Sequence, residues 1–165
     1  MKRLRIIILA TIFILLPAMC FAAGASVTMT RTKADVPYST GFQKVVIVWV
    51  ADDTSHLTPN TSFDVALVGG SSPLKGWSCC LAVTDPGTTA PTADYDISIE
   101  DDYGADIFGG ELVDRHTSST EQAVPLMATG TYIPRLVTGN LTFKVTGQLV
   151  NSATGTCVLY FILEN

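Results

Sequence analysis

Residues 95–110, YDISIEDDYGADIFGG, decide the fold class. Tyr95, Ile97 and Ile99 alternate with Asp96, Ser98 and Glu100, the two-residue period of a strand with one apolar and one solvated face. The alternation stops at Asp101 and Asp102. Tyr103 and Gly104 follow, where a hairpin tip needs a turn-forming side chain and then a residue that tolerates positive φ. A short return strand is expected over ADIFG (105–109). The stretch therefore predicts a strand, a tight tip and a way back.

The same grammar extends in both directions. SVTMTR (26–31) and SFDVALVG (62–69) alternate. QKVVIVWVAD (43–52) is a continuous apolar run of the kind found in central strands covered on both faces. LKGWSCCLAVTD (74–85) is a long strand in which Gly76 marks a place for a bulge. EQAVPL (121–126), LTFKVTG (141–147) and GTCVLYFILE (155–164) complete the set. Stretches rich in Pro, Gly, Asn and Asp separate them, as TDPGTTAPTAD, LVTGN and NSATG do. GELVDRHTSSTE (110–121) is the one place left for a short helix or an irregular loop. Eight or nine short strands at this spacing predict an all-β fold, a single antiparallel β-sandwich or barrel-like domain.

That domain is expected to occupy residues 23–165, because the first 22 read as an export signal. Lys2, Arg3 and Arg5 form a basic start, Ile6 to Leu16 run apolar, Pro17 breaks the run, and CFAAGA supplies the small residues of a cleavage site. Cleavage is placed after Ala22 or Ala23. The apolar stretch is long enough to leave open a retained anchor, and Cys20 leaves open a lipid-modified start. The location implied is periplasmic or extracellular, with membrane contact only through this segment if it stays uncut.

The whole chain carries 10 basic and 15 acidic residues, a net charge of −5; without Lys2, Arg3 and Arg5 the balance is 7 to 15, or −8. A domain so acidic repels phosphate backbones, and its aromatic residues are not interleaved with Lys or Arg, so nucleic acid is excluded as a partner. Three cysteines follow the signal. In an unbroken strand Trp77, Cys79, Leu81 and Val83 share one face, and Cys157 shares a face with Leu159, Phe161 and Leu163. If those faces meet, Cys79 and Cys157 are the natural disulfide pair in an oxidising compartment; the alternative is three small buried thiols. Adjacent cysteines and two histidines do not make a zinc pattern.

Chemistry is sparse. Asp101, Asp102 and Asp106 are the candidate metal ligands, but EF-hand spacing is absent and turn chemistry accounts for them. A pair of catalytic carboxylates would need a distant member such as Asp52 or Asp64. His56 and His116 sit among polar neighbours without the elbow or separated segments of a nucleophilic triad. No catalytic residue and no cofactor is assigned. Asp102 and Tyr103 at the tip, with Arg115 and His116 in the following loop, are the candidate interaction residues. An exposed pair of Trp49 with Tyr103 would instead suit a carbohydrate-binding groove.

TDPGTTAPTADYDISIEDDYGADIFGGELVDRHTSSTEQAVP (84–125) resembles a segment of small proteins encoded among tailed-phage and prophage structural genes. The matching positions are Asp85, Pro86, Gly87, Tyr95, Asp96, Asp102, Gly104, Asp106, Gly109 and Gly110, and KVVIVWVADDT, PRLVTGNLTFKV and GTCVLYFILE extend the similarity over nearly all of 23–165. The resemblance implies a shared β fold and a structural role through contact with protein partners or copies of itself. The export segment and the paired Cys79 and Cys80 depart from the pattern. The expectation is thus an exported, non-enzymatic structural or interaction protein; the alternative is a periplasmic or extracellular carbohydrate-binding module.

Overall fold

The computed structural model describes residues 24–33, 41–63 and 74–163. The export segment, Cys20, Asp64 and most of the 62–69 strand lie outside them. Among the described residues nine strands run in the order β1 (Ser26–Lys33), β2 (Phe42–Val50), β3 (Thr61–Phe63), β4 (Ser78–Pro86), β5 (Asp96–Glu100), β6 (Glu121–Ala123), β7 (Arg135–Leu136), β8 (Leu141–Thr146) and β9 (Thr154–Ile162). No helix occurs among the described residues, so the all-β expectation holds, and the 110–121 stretch is an irregular loop.

All pairings are antiparallel. One sheet has the order β1-β2-β9-β4-β6, with β7 paired to the other end of β4; the second has the order β3-β8-β5. Their apolar faces share one core in a sandwich-like arrangement. The larger sheet contributes Val45, Ile47, Trp49, Ala82, Leu159 and Phe161, and the smaller contributes Phe63, Ile97, Ile99, Leu141, Phe143 and Val145. Alternation puts them there: along β9 Gly155, Cys157, Leu159 and Phe161 are buried while the residues between them are partly exposed. The expected return strand over 105–109 does not form. The chain turns repeatedly instead, with a single bridge from Asp106 to Glu100, and buries Ile107, Phe108 and Leu112 at the side of β5.

The face assignment of β4 is corrected by one inserted residue. Cys79 stands opposite Phe161 and Leu81 opposite Tyr160, which leaves Cys80 as the extra residue of a bulge. The insertion reverses the alternation, so Cys79 points to the core before it and Ala82 and Thr84 after it, while Leu81 and Val83 turn outward. The proposed disulfide fails with it. Cys157 is opposite Thr84, four residues along β9 from the partner of Cys79, which is about 13 Å at the rise of a strand and beyond the ~7 Å Cα reach of a disulfide. Cys79, Cys80 and Cys157 are free thiols. Burial pushes the Cys157 thiol up to about 12 and Cys79 well above its ordinary range, so neither is a ready nucleophile.

The run over β2 is covered on one face only. Val45, Ile47 and Trp49 are buried, but Val48 on the opposite face is 44% exposed. The indole of Trp49 lies across Gly155, its partner on β9, where an added Cβ would come within 2.6 Å of two ring carbons.

Two outcomes follow from this packing. Gly155→Ala should lower the unfolding free energy by about 1–3 kcal/mol, the usual cost of overpacking, and Trp49→Phe in that background should recover part of the loss; strictly additive effects in the double-mutant cycle would contradict the contact. Mass spectrometry of the unfolded, unreduced chain after alkylation should find Cys79, Cys80 and Cys157 all labelled.

Candidate functional site

The acidic tip forms as the sequence indicates, but its carboxylates part company. Asp101 Oδ1 accepts the backbone N–H groups of Tyr103 and Ala105, each at 2.9 Å, and the Asp101 carbonyl accepts that of Gly104. Asp106 holds the next turn: Oδ1 accepts from Phe108 at 3.1 Å and from Ile99 at 3.3 Å, and Oδ2 accepts from Gly110 at 2.8 Å. Asp102 turns away to pack on Gly139, where no Cβ would fit beside its carboxylate. Among the described residues no three His, Cys, Asp or Glu side chains converge to hold a metal ion. Tyr103 stands in solvent, 91% exposed.

The loop that follows is pinned rather than free. Arg115 donates its backbone N–H to the Tyr95 carbonyl at 2.7 Å, and its Nε and Nη2 both donate to the carbonyl of Val113. Its Nη1 lies 3.7 Å from Glu121 Oε2, with the side chain only 12% exposed. The same Glu121 oxygen accepts the backbone N–H of His116 at 2.7 Å. Arg115 is therefore a clamp that ties loop to sheet, not the surface cation the sequence suggested, whereas His116 is exposed. Burial pushes the adjacent Tyr95 phenol up to about 12; nearby Cys157, Glu121 and Asp85 add to the effect, and Arg115 opposes it. Asp52 is equally committed: its Oδ1 accepts N–H and O–H groups of Thr54 and Ser55, which hold its carboxyl far below the usual carboxylate range. Trp49 is in the core, 5.8 Å from the Tyr95 ring, and forms no exposed pair with Tyr103.

The turn held by Asp106 has a second consequence. Gly109 adopts φ of 64°, and a Cβ there would sit 2.2 Å from the Leu126 carbonyl oxygen, so only glycine allows the two segments to meet. Leu126 donates its N–H to Phe108, and the chain continues through a tight hairpin in which Met127 donates to Thr131 and Gly130 to Met127. Between hairpin and turn lies an open groove of about 410 Å³ lined by Asp106, Gly109, Leu126, Met127, Ala128, Gly130 and Arg135. Three side chains define its chemistry. Leu126 and Met127 give an apolar floor, while Arg135, fixed on β7, has no ion-pair or hydrogen-bond partner for its guanidinium among the described residues. Tyr132 and Leu136, neighbours in the same segment, are 59% and 60% exposed.

Sequence reasoning placed its interaction candidates at the tip and in the 110–121 loop and passed over this groove. The signal it overlooked is LMATGTYI between Pro125 and Pro134, apolar residues that follow neither strand nor helix period. Comparison of the chain with family models, curated proteins and solved structures gives no match.

If Asp106 is a structural carboxylate, Asp106→Ala leaves three partly buried N–H groups without an acceptor and should destabilise the fold by about 2–4 kcal/mol, by the same amount with or without added calcium. A calcium-dependent midpoint in thermal unfolding would restore the metal reading.

Proposed function

We propose that this chain is an exported, non-enzymatic structural or interaction protein that presents the loop side of a β-sandwich to another protein chain. One observation carries the reading: the groove of about 410 Å³ that joins the Leu126 and Met127 side chains to the unpaired guanidinium of Arg135. A protein segment bringing an apolar side chain and a carboxylate would satisfy both halves. Exposed Tyr132, in the hairpin that bounds the groove, is a residue of the kind that anchors protein contacts.

Other observations agree. Four of the ionisable groups singled out in the sequence are spent on backbone: Asp52, Asp101 and Asp106 hold turns, and Arg115 holds a loop. The basic start and apolar run of residues 2–16 support export. The charge of −8 after that segment supports partners other than nucleic acid. Similarity of the 84–125 pattern to phage structural proteins supports an assembly role. The carbohydrate-binding alternative loses its specific support, because Trp49 is buried and leaves Tyr103 without the second aromatic face a sugar would stack on.

Selection of a random peptide library on the immobilised protein tests the proposal. Sequences pairing an apolar residue with an acidic one or a free C-terminus should be enriched. Arg135→Glu and Met127→Asp, which alter partly exposed groove positions, should each weaken the selected peptides by roughly tenfold or more with little change in the unfolding midpoint. Peptides that bind the Arg135→Glu chain equally well would overturn the proposal.

A further inference from the structure

The outward face of the larger sheet carries a block of apolar side chains on β2, β9 and β4, and the β2 run has the sequence pattern of a strand covered on both sides. Register builds the face row by row. The central row runs Thr30, Val46, Val158, Val83 across β1, β2, β9 and β4. On one side of it lies the row Thr32, Lys44, Tyr160, Leu81, and on the other the row Thr28, Val48, Thr156, Asp85. The bulge at Cys80 is what turns Leu81 and Val83 to this side.

Among the described side chains of these four strands only two charged ones project outward, Lys44 and Asp85. They occupy point-opposed positions about Val158: Lys44 is one strand to one side and one row down, Asp85 one strand to the other side and one row up. Lys44 has no ion-pair partner among the described residues, and Asp85 accepts only the Thr120 hydroxyl, at 2.8 Å. A two-fold axis lying in the plane of contact over Val158, perpendicular to the Lys44–Asp85 diagonal, carries one onto the other. A second copy rotated about that axis therefore sets Lys44 against Asp85 of its partner twice, with Val158 against Val158 between them and the strands of the two sheets crossing steeply.

We propose that two copies of this chain pack face to face through this sheet surface. The proposal rests on the protein-contact reading above but uses a surface separate from the groove. Four strands of eight or nine residues present a face of about 19 by 30 Å, and the steep crossing makes the shared footprint about 20 by 20 Å, on the order of 800 Å² for the pair, the size of a weak, concentration-dependent interface. A self-complementary patch is what an isologous dimer requires.

The test is sedimentation velocity over a concentration series on the protein expressed from its full sequence. The parent chain should dimerise, and Val158→Asp should yield a folded monomer by circular dichroism. Lys44→Asp and Asp85→Lys should each weaken the dimer by roughly tenfold or more, since like charges then oppose each other twice, and the double exchange should restore it to within about threefold. That rescue is the decisive result, because a variant that merely disturbs the sheet would not be repaired by a second change 13 or more Å away along the diagonal. A parent chain that stays monomeric overturns the proposal: binding of an apolar dye would then assign the face to a different partner, and its absence to another stretch of the same chain. Charge exchanges that leave association unmoved overturn it too. Arg135→Glu should leave the dimer intact; if it alone abolishes association, the groove is the interface and the sheet face is not. Peptide binding with no dimer, or a dimer with no peptide binding, separates the failure of one reading from that of the other.

Discussion

The Trp49 indole lying against Gly155 is the contact on which the rest of the arrangement depends. It fills space over the larger sheet that a side chain at Gly155 would claim, and it also meets Tyr95, whose ring is tilted 53° to it. Tyr95 immediately precedes β5, so this one ring pair sets where the smaller sheet begins over the larger. From Tyr95 the constraint passes by backbone hydrogen bonding to Arg115, and from β5 to the turn held by Asp106. The groove wall is the last link. The Trp49 Nε1 donor is left without a partner in the described structure, a loss of about 1–3 kcal/mol for a buried polar group. Packing of two large rings at the seam offsets a cost of that size.

The bulge at Cys80 has the opposite effect, acting outward. Without it, β4 would place Leu81 and Val83 in the core and leave small or polar residues on the far side. With it, Ala82 and Thr84 take the inward positions against Leu159 and Cys157, where little room remains, and the branched side chains complete an apolar surface. One inserted residue thus exchanges a bulkier core for a stickier face. The cysteine at the bulge is itself quiet: its sulfur donates to the Tyr160 carbonyl at 3.4 Å, and burial raises its thiol pKa.

Strands with a clear two-residue period were legible in the sequence, because burial on one face writes itself into alternation: β1, β5 and β8 overlap SVTMTR, YDISIE and LTFKVTG, while β9 overlaps the longer apolar run GTCVLYFILE. Elements decided by side-chain-to-backbone bonds were not. Ile107 and Phe108 look like a return strand, yet Asp106 withdraws N–H groups from any ladder and bends the chain into turns. The bulge left no mark because SCCLAV is apolar enough on either face to hide a one-residue slip. The groove was invisible for a related reason: Leu126, Met127 and Arg135 belong to a hairpin and a two-residue strand, too short for periodicity to register, and they meet Asp106 and Gly109 only through folding. Arg115 failed as a surface candidate because residue type says nothing about which way a long side chain turns.

The acidic character of the chain acquires a sharper meaning from these placements. Negative charge is concentrated at tips and loops, where Asp101 and Asp106 hold backbone, and it is nearly absent from the outward sheet face, which has a single anion and a single cation. Such a division keeps loops solvated and mutually repelling while leaving one broad surface free of desolvation cost. A pair joined through that surface would carry two grooves at positions the interface does not cover. Two copies of a modest groove bind a repetitive partner far more tightly than one, with no new contact, because the second engagement is intramolecular. Repetitive partners are what assembled surfaces provide, so the sheet face and the groove, unrelated in sequence, suit a single kind of work.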